Sequence, residues 1–146
     1  MKKKIRDTGR KRLYAAEDSS RLLRWGKEFK DIESCQRYID NILRSKWFKK
    51  KYPKIKKISV CQSRGFGGQA EAGGIIRIGR DSMLSHYLLH ELAHHSVTIK
   101  IGHGWVFAES MLKFVRRFLG MEAYIELRKN FIKYGVKYFD PQGKHE

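Results

Sequence analysis

The sequence predicts an α+β fold with a small sheet. Three observations point there. Apolar residues recur at helical spacing towards both ends of the chain. Two short runs rich in Ile and Val flank a glycine-rich centre. After the second run, His90-Glu91-Leu92-Ala93-His94 sits inside a helical pattern. The 146 residues suit one domain, and 41% hydrophobic content suits a folded chain.

Residues 1–9 read as a mobile basic arm. From Arg10 to Trp25 the apolar positions Leu13, Tyr14, Ala15, Leu22, Leu23 and Trp25 predict one helix, ended by Gly26. Asp31 opens a second helix to about Lys50, with Ile32, Cys35, Tyr38, Ile39, Ile42, Leu43 and Phe48 as its core stripe. Pro53 stops any continuation. Residues 57–62 alternate and predict a strand. Gly65, Gly67, Gly68, Gly73 and Gly74 then mark a flexible connection, which lacks the Gly-Lys-Ser/Thr of a phosphate loop. Residues 75–79 form the second strand, expected to pair with the first as an antiparallel hairpin. A free edge there can align an extended peptide. Asp81 or Ser82 caps the next helix, which runs to about Thr98. Gly102-His103-Gly104 is a turn. Trp105 to Leu119, with Phe107, Met111, Phe114, Val115 and Phe118 buried, and Met121 to Tyr134 complete the helices.

Residues four apart on a helix lie on one face. His90 and His94 therefore offer two imidazoles to one metal ion, and Glu91 stands beside them as a general base. A His-rich amphipathic helix would spell the same five letters without a metal. Two features favour the metal. Leu88, Leu89, Leu92 and Ala93 supply an apolar body around the polar stripe, and His103 follows His94 by nine positions. Three protein ligands and one open position make a catalytic zinc site. His103, bracketed by Gly102 and Gly104, is the first choice for the third ligand, and Glu109 is the alternative. The metzincin spacing is excluded, because Val97 and Lys100 stand where it needs Gly and His.

The other histidines serve elsewhere. His86 shares the face of His90 and has a supporting or surface role. His95 is rotated off the metal face, exposed or hydrogen-bonded, and His145 lies in the polar tail. Tyr87, His86 and Arg80 are the candidates for stabilising an oxyanion. Cys35 and Cys61 form no C-x-x-C pair and read as reduced thiols of a cytoplasmic protein. The basic start of the chain has no apolar run behind it, so no secretory signal is read there, and no segment is apolar enough to span a membrane.

The net charge of +17 is uneven. Residues 1–57 hold 20 Lys+Arg against 7 Asp+Glu, a net +13, and the remainder holds 12 against 8, a net +4. The densest run spans Lys46 to Lys57 and interleaves Trp47, Phe48 and Tyr52 with lysines. Such a surface attracts a polyanion, nucleic acid above all. The aromatics either stack on bases or belong to the core, and the core is favoured.

His90-Glu91-Leu92-Ala93-His94-His95, followed by His103-Gly104-Trp105-Val106-Phe107, resembles the SprT-like metallopeptidases, which share H-E-x-x-H and then H-G-x-x-F/W. A wider similarity is to a small family of metallohydrolases from actinobacteria and their phages. It takes in Arg6-Asp7, Arg12-Leu13-Tyr14-Ala15-Ala16-Glu17, Trp47-Phe48-Lys49-Lys50, Leu119-Gly120-Met121-Glu122-Ala123, Leu127-Arg128 and Tyr134-Gly135-Val136. The resemblance implies a minimal zincin, with a small sheet against the metal helix. It implies Zn²⁺ on His90, His94 and His103, Glu91 as catalytic base, and a protein or peptide substrate, in some members bound to DNA. This chain departs from many SprT-like proteins in having no cysteine after Cys61, and so no cysteine zinc ribbon.

The leading expectation is thus a zinc-dependent hydrolase, a peptidase before a hydrolase of non-protein amides. The competing expectation is a basic nucleic-acid-binding protein whose zinc is structural or vestigial.

Overall fold

The computed structural model describes residues 9–97 and 104–138. Among these the fold is α+β, with six α-helices and one three-stranded mixed sheet. The described chain divides into two compact units, residues 23–97 and residues 9–22 with 104–138. No helix among the described residues is long and apolar enough to cross a membrane.

The second of these units is helical. It contains α1 (Arg10–Ser20), α5 (Trp105–Phe118) and α6 (Met121–Lys133), with α6 packed on both others. Leu13, Ala16, Phe107, Met111, Phe114, Val115, Leu127 and Phe131 are fully buried. The expected helix from Arg10 to Trp25 is shorter. It stops at Ser20, because Arg21 takes a left-handed conformation (φ 49°), and residues 22–25 form a separate 3₁₀ turn. Asn130 Nδ2 donates to Ser20 Oγ at 3.1 Å, tying α6 to the end of α1.

The sheet belongs to the other unit. That unit comprises α2 (Ile32–Arg44), α3 (Lys46–Lys51), β1 (Ser59–Gln62), β2 (Gly68–Glu71), β3 (Ile75–Ile78), a 3₁₀ turn at Arg80–Ser82 and α4 (Ser85–Ser96). Asp31 caps α2, its Oδ1 accepting from Ser34 N at 2.8 Å. The expected continuous helix to Lys50 is broken at Ser45. That residue is extended, and its hydroxyl accepts from Phe48 N at 3.2 Å, starting α3 afresh.

The sheet differs from the expected hairpin. Its order is β1-β3-β2: β1 pairs with β3 in parallel, and β2 pairs with β3 antiparallel. The glycine-rich connection thus holds a strand. Gly73 and Gly74, both at positive φ (84° and 74°), make the turn that returns the chain from β2 to β3. In this register Val60 and Ala70 flank Ile76, and Gly68 lies beside Ile78. Ile76 and Ile78 are fully buried, and α4 packs on β2 and β3.

The two outer edges of the sheet are unlike. The edge of β1 is closed by α2: Gln36 Nε2 donates to Ile58 O at 2.8 Å, and Gln36 Oε1 accepts from Val60 N at 2.7 Å. A single amide thereby takes the hydrogen-bonding place of a neighbouring strand. The edge of β2 has no strand beside it among the described residues. Gly79 N donates inward to Gly67 O at 2.7 Å. Main-chain direction alternates along an antiparallel strand, so the N–H and C=O of Gly68 and Ala70 point outward from that edge.

Candidate metal centre

Helix α4 starts at Ser85, later than a cap at Asp81 or Ser82 would have begun it, and no side chain caps it. Its first turn is fastened by residues 27–29 instead. Ser85 N donates to Lys27 O at 2.9 Å, Lys27 N to Ser85 Oγ at 2.8 Å, and Phe29 N to Met83 O at 2.8 Å. Ser82 Oγ accepts from Gly67 N at 3.0 Å and so holds the loop before β2. Leu88, Leu89, Leu92 and Ala93 are fully buried, fixing the rotation of the helix.

That rotation brings three polar side chains together. His90, Glu91 and His94 are 3%, 6% and 8% exposed. The rings of His90 and His94 stand 5.1 Å apart, edge to face. One donor atom from each of the three residues falls within 4.8 Å of the others. Imidazole and carboxylate donors bind zinc at about 2.0–2.2 Å, so atoms confined to that span suit one ion among them. The residues present therefore fit a divalent metal.

The surrounding residues sort clearly. His95 Nε2 is hydrogen-bonded to Ile75 O at 2.8 Å, which pins α4 to the start of β3 and turns that ring away from metal duty. His86 meets the Tyr87 ring at 4.5 Å between centroids, the planes tilted by 44°. Arg80 is exposed on the 3₁₀ turn before α4. Glu109 forms an ion pair with Lys113 at 3.0 Å along α5. His103 and His145 lie outside the described residues.

Two positions matter here that sequence reasoning passed over. Gly68 faces Glu91 so closely that a Cβ on it would stand 2.8 Å from Glu91 Oε2 and 3.3 Å from Glu91 Cγ. A side chain at this position would displace the carboxylate from where it now lies against the sheet. Gln36, by sealing β1, leaves β2 as the open side, and that side carries the Glu91 carboxylate. A glycine and a polar helix residue carry no chemical signature in a sequence, so neither stands out there.

The lysine-rich run forms a second feature. Lys46, Lys49, Lys50, Lys51, Lys54, Lys56 and Lys57 are all exposed. Phe48 is fully buried, whereas Trp47 and Tyr52 are half-buried and meet edge to face at 6.2 Å. Lys51 Nζ sits 5.5 Å from the Trp47 ring centroid. Both cysteines are free thiols. Burial, and secondly the Asp31 carboxylate, push the Cys35 thiol up to about 11.

Comparison with protein-family models, with curated proteins and with solved structures gave no match.

Proposed function

We propose that this protein is a zinc-dependent hydrolase of the SprT-like, minimal-zincin kind, acting on proteins or peptides. The observation that carries the proposal is the buried trio His90, Glu91 and His94, with donor atoms within 4.8 Å of one another. In this reading His90 and His94 hold the ion, and His103, by its spacing after α4, is the third ligand. A zinc ion, when bound, acidifies water and polarises a carbonyl. Glu91 then takes the proton from the attacking water and passes it to the leaving amine. The open edge of β2 supports a peptide over other amides. Its outward N–H and C=O groups at Gly68 and Ala70 match an extended peptide main chain, and Glu91 adjoins them. The free thiols of Cys35 and Cys61 suit a cytoplasmic setting.

The exposed lysines around Trp47 and Tyr52 support a nucleic acid as partner, bringing the activity to DNA- or RNA-bound proteins. The second reading, a nucleic-acid-binding protein with structural zinc, rests on this same surface. The deciding experiment is metal analysis of purified protein, followed by a protein-cleavage assay with and without chelator and DNA. The hydrolase reading expects about one zinc per chain and cleavage that chelation abolishes. Stoichiometric zinc without cleavage of any protein, alone or on DNA, would favour the second reading.

A further inference from the structure

A cleft of about 640 Å³ lies just beyond the Glu91 end of β2, lined by Gln62, Ser63, Arg64, Phe66, Arg80 and Asp81. We propose that it is a subsite for an acidic side chain of the substrate, with Arg64 and Arg80 supplying the charge and Phe66 an apolar wall. The assignment rests on the peptidase reading above and adds a substrate class to it.

Four observations support it. Arg64 and Arg80 are both exposed, and neither makes an ion pair or side-chain hydrogen bond among the described residues. The carboxylate that shares the cleft lining with them, Asp81, already accepts from Ser82 Oγ at 3.2 Å. The cleft therefore carries two guanidinium groups against one carboxylate, a net positive field that favours an anion. Phe66 is 90% exposed, the most exposed large apolar side chain described. It stands on a loop held from both sides: Ser63 N donates to Ile78 O at 2.9 Å, Gly65 N to Ser63 Oγ at 3.1 Å, and Gly67 N to Ser82 Oγ at 3.0 Å. A backbone fixed in this way loses little conformational freedom when the cleft binds, leaving only the exposed side chains to be ordered.

Position selects a peptide side chain over a phosphate backbone. Phe66 precedes Gly68 by two residues, a reach of about 7 Å of extended chain. An extended peptide paired with the outward groups of Gly68 and Ala70 brings a side chain over the cleft within one to three residues of the position facing Glu91. A nucleic-acid backbone offers acceptors to N–H groups, but not the regularly alternating N–H and C=O that an extended peptide pairs with Gly68 and Ala70.

The test uses the Glu91→Gln protein, so that binding is read without turnover. Fluorescence anisotropy would follow labelled extended peptides that carry Glu, or Gln in its place, at each successive position. The subsite predicts that Glu at one or two neighbouring positions binds about tenfold tighter than Gln. The double variant Arg64→Gln/Arg80→Gln should remove that preference, weakening the Glu peptide about tenfold more than the all-Gln peptide. Both arginines are exposed, and an unchanged urea midpoint would show that the double variant folds. Equal affinity for Glu and Gln peptides, equal weakening of both by the double variant, or no peptide binding at all would overturn the subsite. Displacement of the acidic peptide by oligothymidylate with the arginine dependence intact would overturn it too, by assigning the cleft to phosphate. The two readings fail separately. An acidic preference in binding without cleavage by the wild type keeps the subsite and sinks the peptidase, and cleavage without acidic preference does the reverse.

Discussion

Gly68 of strand β2 and Glu91 of helix α4 share space that a single methyl group would fill: a Cβ at position 68 would stand 2.8 Å from Glu91 Oε2. The same Cβ would lie 2.9 Å from Cδ1 of the fully buried Ile78, so both side chains would have to shift to admit it. Gly68→Ala should therefore turn the carboxylate out of line while leaving His90 and His94 in place. Misplacing a catalytic group by about 1 Å costs on the order of 10²-fold in rate. Turnover of a verified substrate should fall by about that factor with zinc content unchanged, measured by steady-state kinetics and metal analysis on one preparation.

Removal of the carboxylate and removal of a ligand should separate. Glu91→Gln keeps a side chain of the same shape and should retain zinc while turnover falls by about 10²–10⁴-fold. His90→Ala and His94→Ala should instead lose zinc under dialysis that leaves the wild type loaded. Full turnover by Glu91→Gln would remove Glu91 as the base.

Among the described residues Val60 N donates to Gln36 Oε1 at 2.7 Å, and an apolar side chain at position 36 could not accept that bond. Gln36→Leu should leave that N–H and the carbonyl of Ile58 without their bonds. An unsatisfied buried donor or acceptor costs about 1–3 kcal/mol. The urea midpoint should drop accordingly with an unchanged slope, since the surface exposed on unfolding is nearly the same.

Thiol chemistry should divide the two cysteines. The thiolate is the reactive species, and burial, then Asp31, hold Cys35 up at about 11 against an ordinary 9.0. A raised folded value means that the native state keeps its proton as pH climbs. The resulting stability is fully present below 9.0 and is lost as pH rises through about 11. At about pH 8 a thiol reagent should label Cys61 quickly and Cys35 only after denaturation, and Cys61→Ser should leave no fast-reacting thiol.

The lysine surface has a salt signature. Affinity for single-stranded nucleic acid should fall log-linearly with salt, with a slope of about −0.7 per phosphate contacted. Replacing Lys46, Lys49, Lys50 and Lys51 by glutamine should flatten that slope, and a salt titration of binding to labelled oligonucleotides would read it.

Much of this was legible in residue order, for physical reasons that can be named. The trio on α4 follows from helical spacing, and its apolar companions Leu88, Leu89, Leu92 and Ala93 are all fully buried. The stripe of α2 was legible as well, with Cys35, Ile39, Ile42 and Leu43 buried. The break at Ser45 was not, because a serine inside a helical pattern signals a cap only when its backbone is known to be extended. Strand β2 was missed because Gly68-Gln69-Ala70-Glu71 holds no β-branched or aromatic residue. It is a strand by virtue of its partner β3, whose Ile75, Ile76 and Ile78 carry the propensity. A signal was present nonetheless: Gly73-Gly74 is a hairpin turn, and a hairpin turn places a strand directly before it.

The unlike flanks of the sheet bear on how molecules of this kind meet. A fibre built by joining sheets side by side needs two receptive flanks on every member, one to accept and one to offer. Here Gln36 occupies one of them from within. Any such growth ends as soon as two copies have met through β2, so the flank left available for a guest does not also make the protein prone to polymerise.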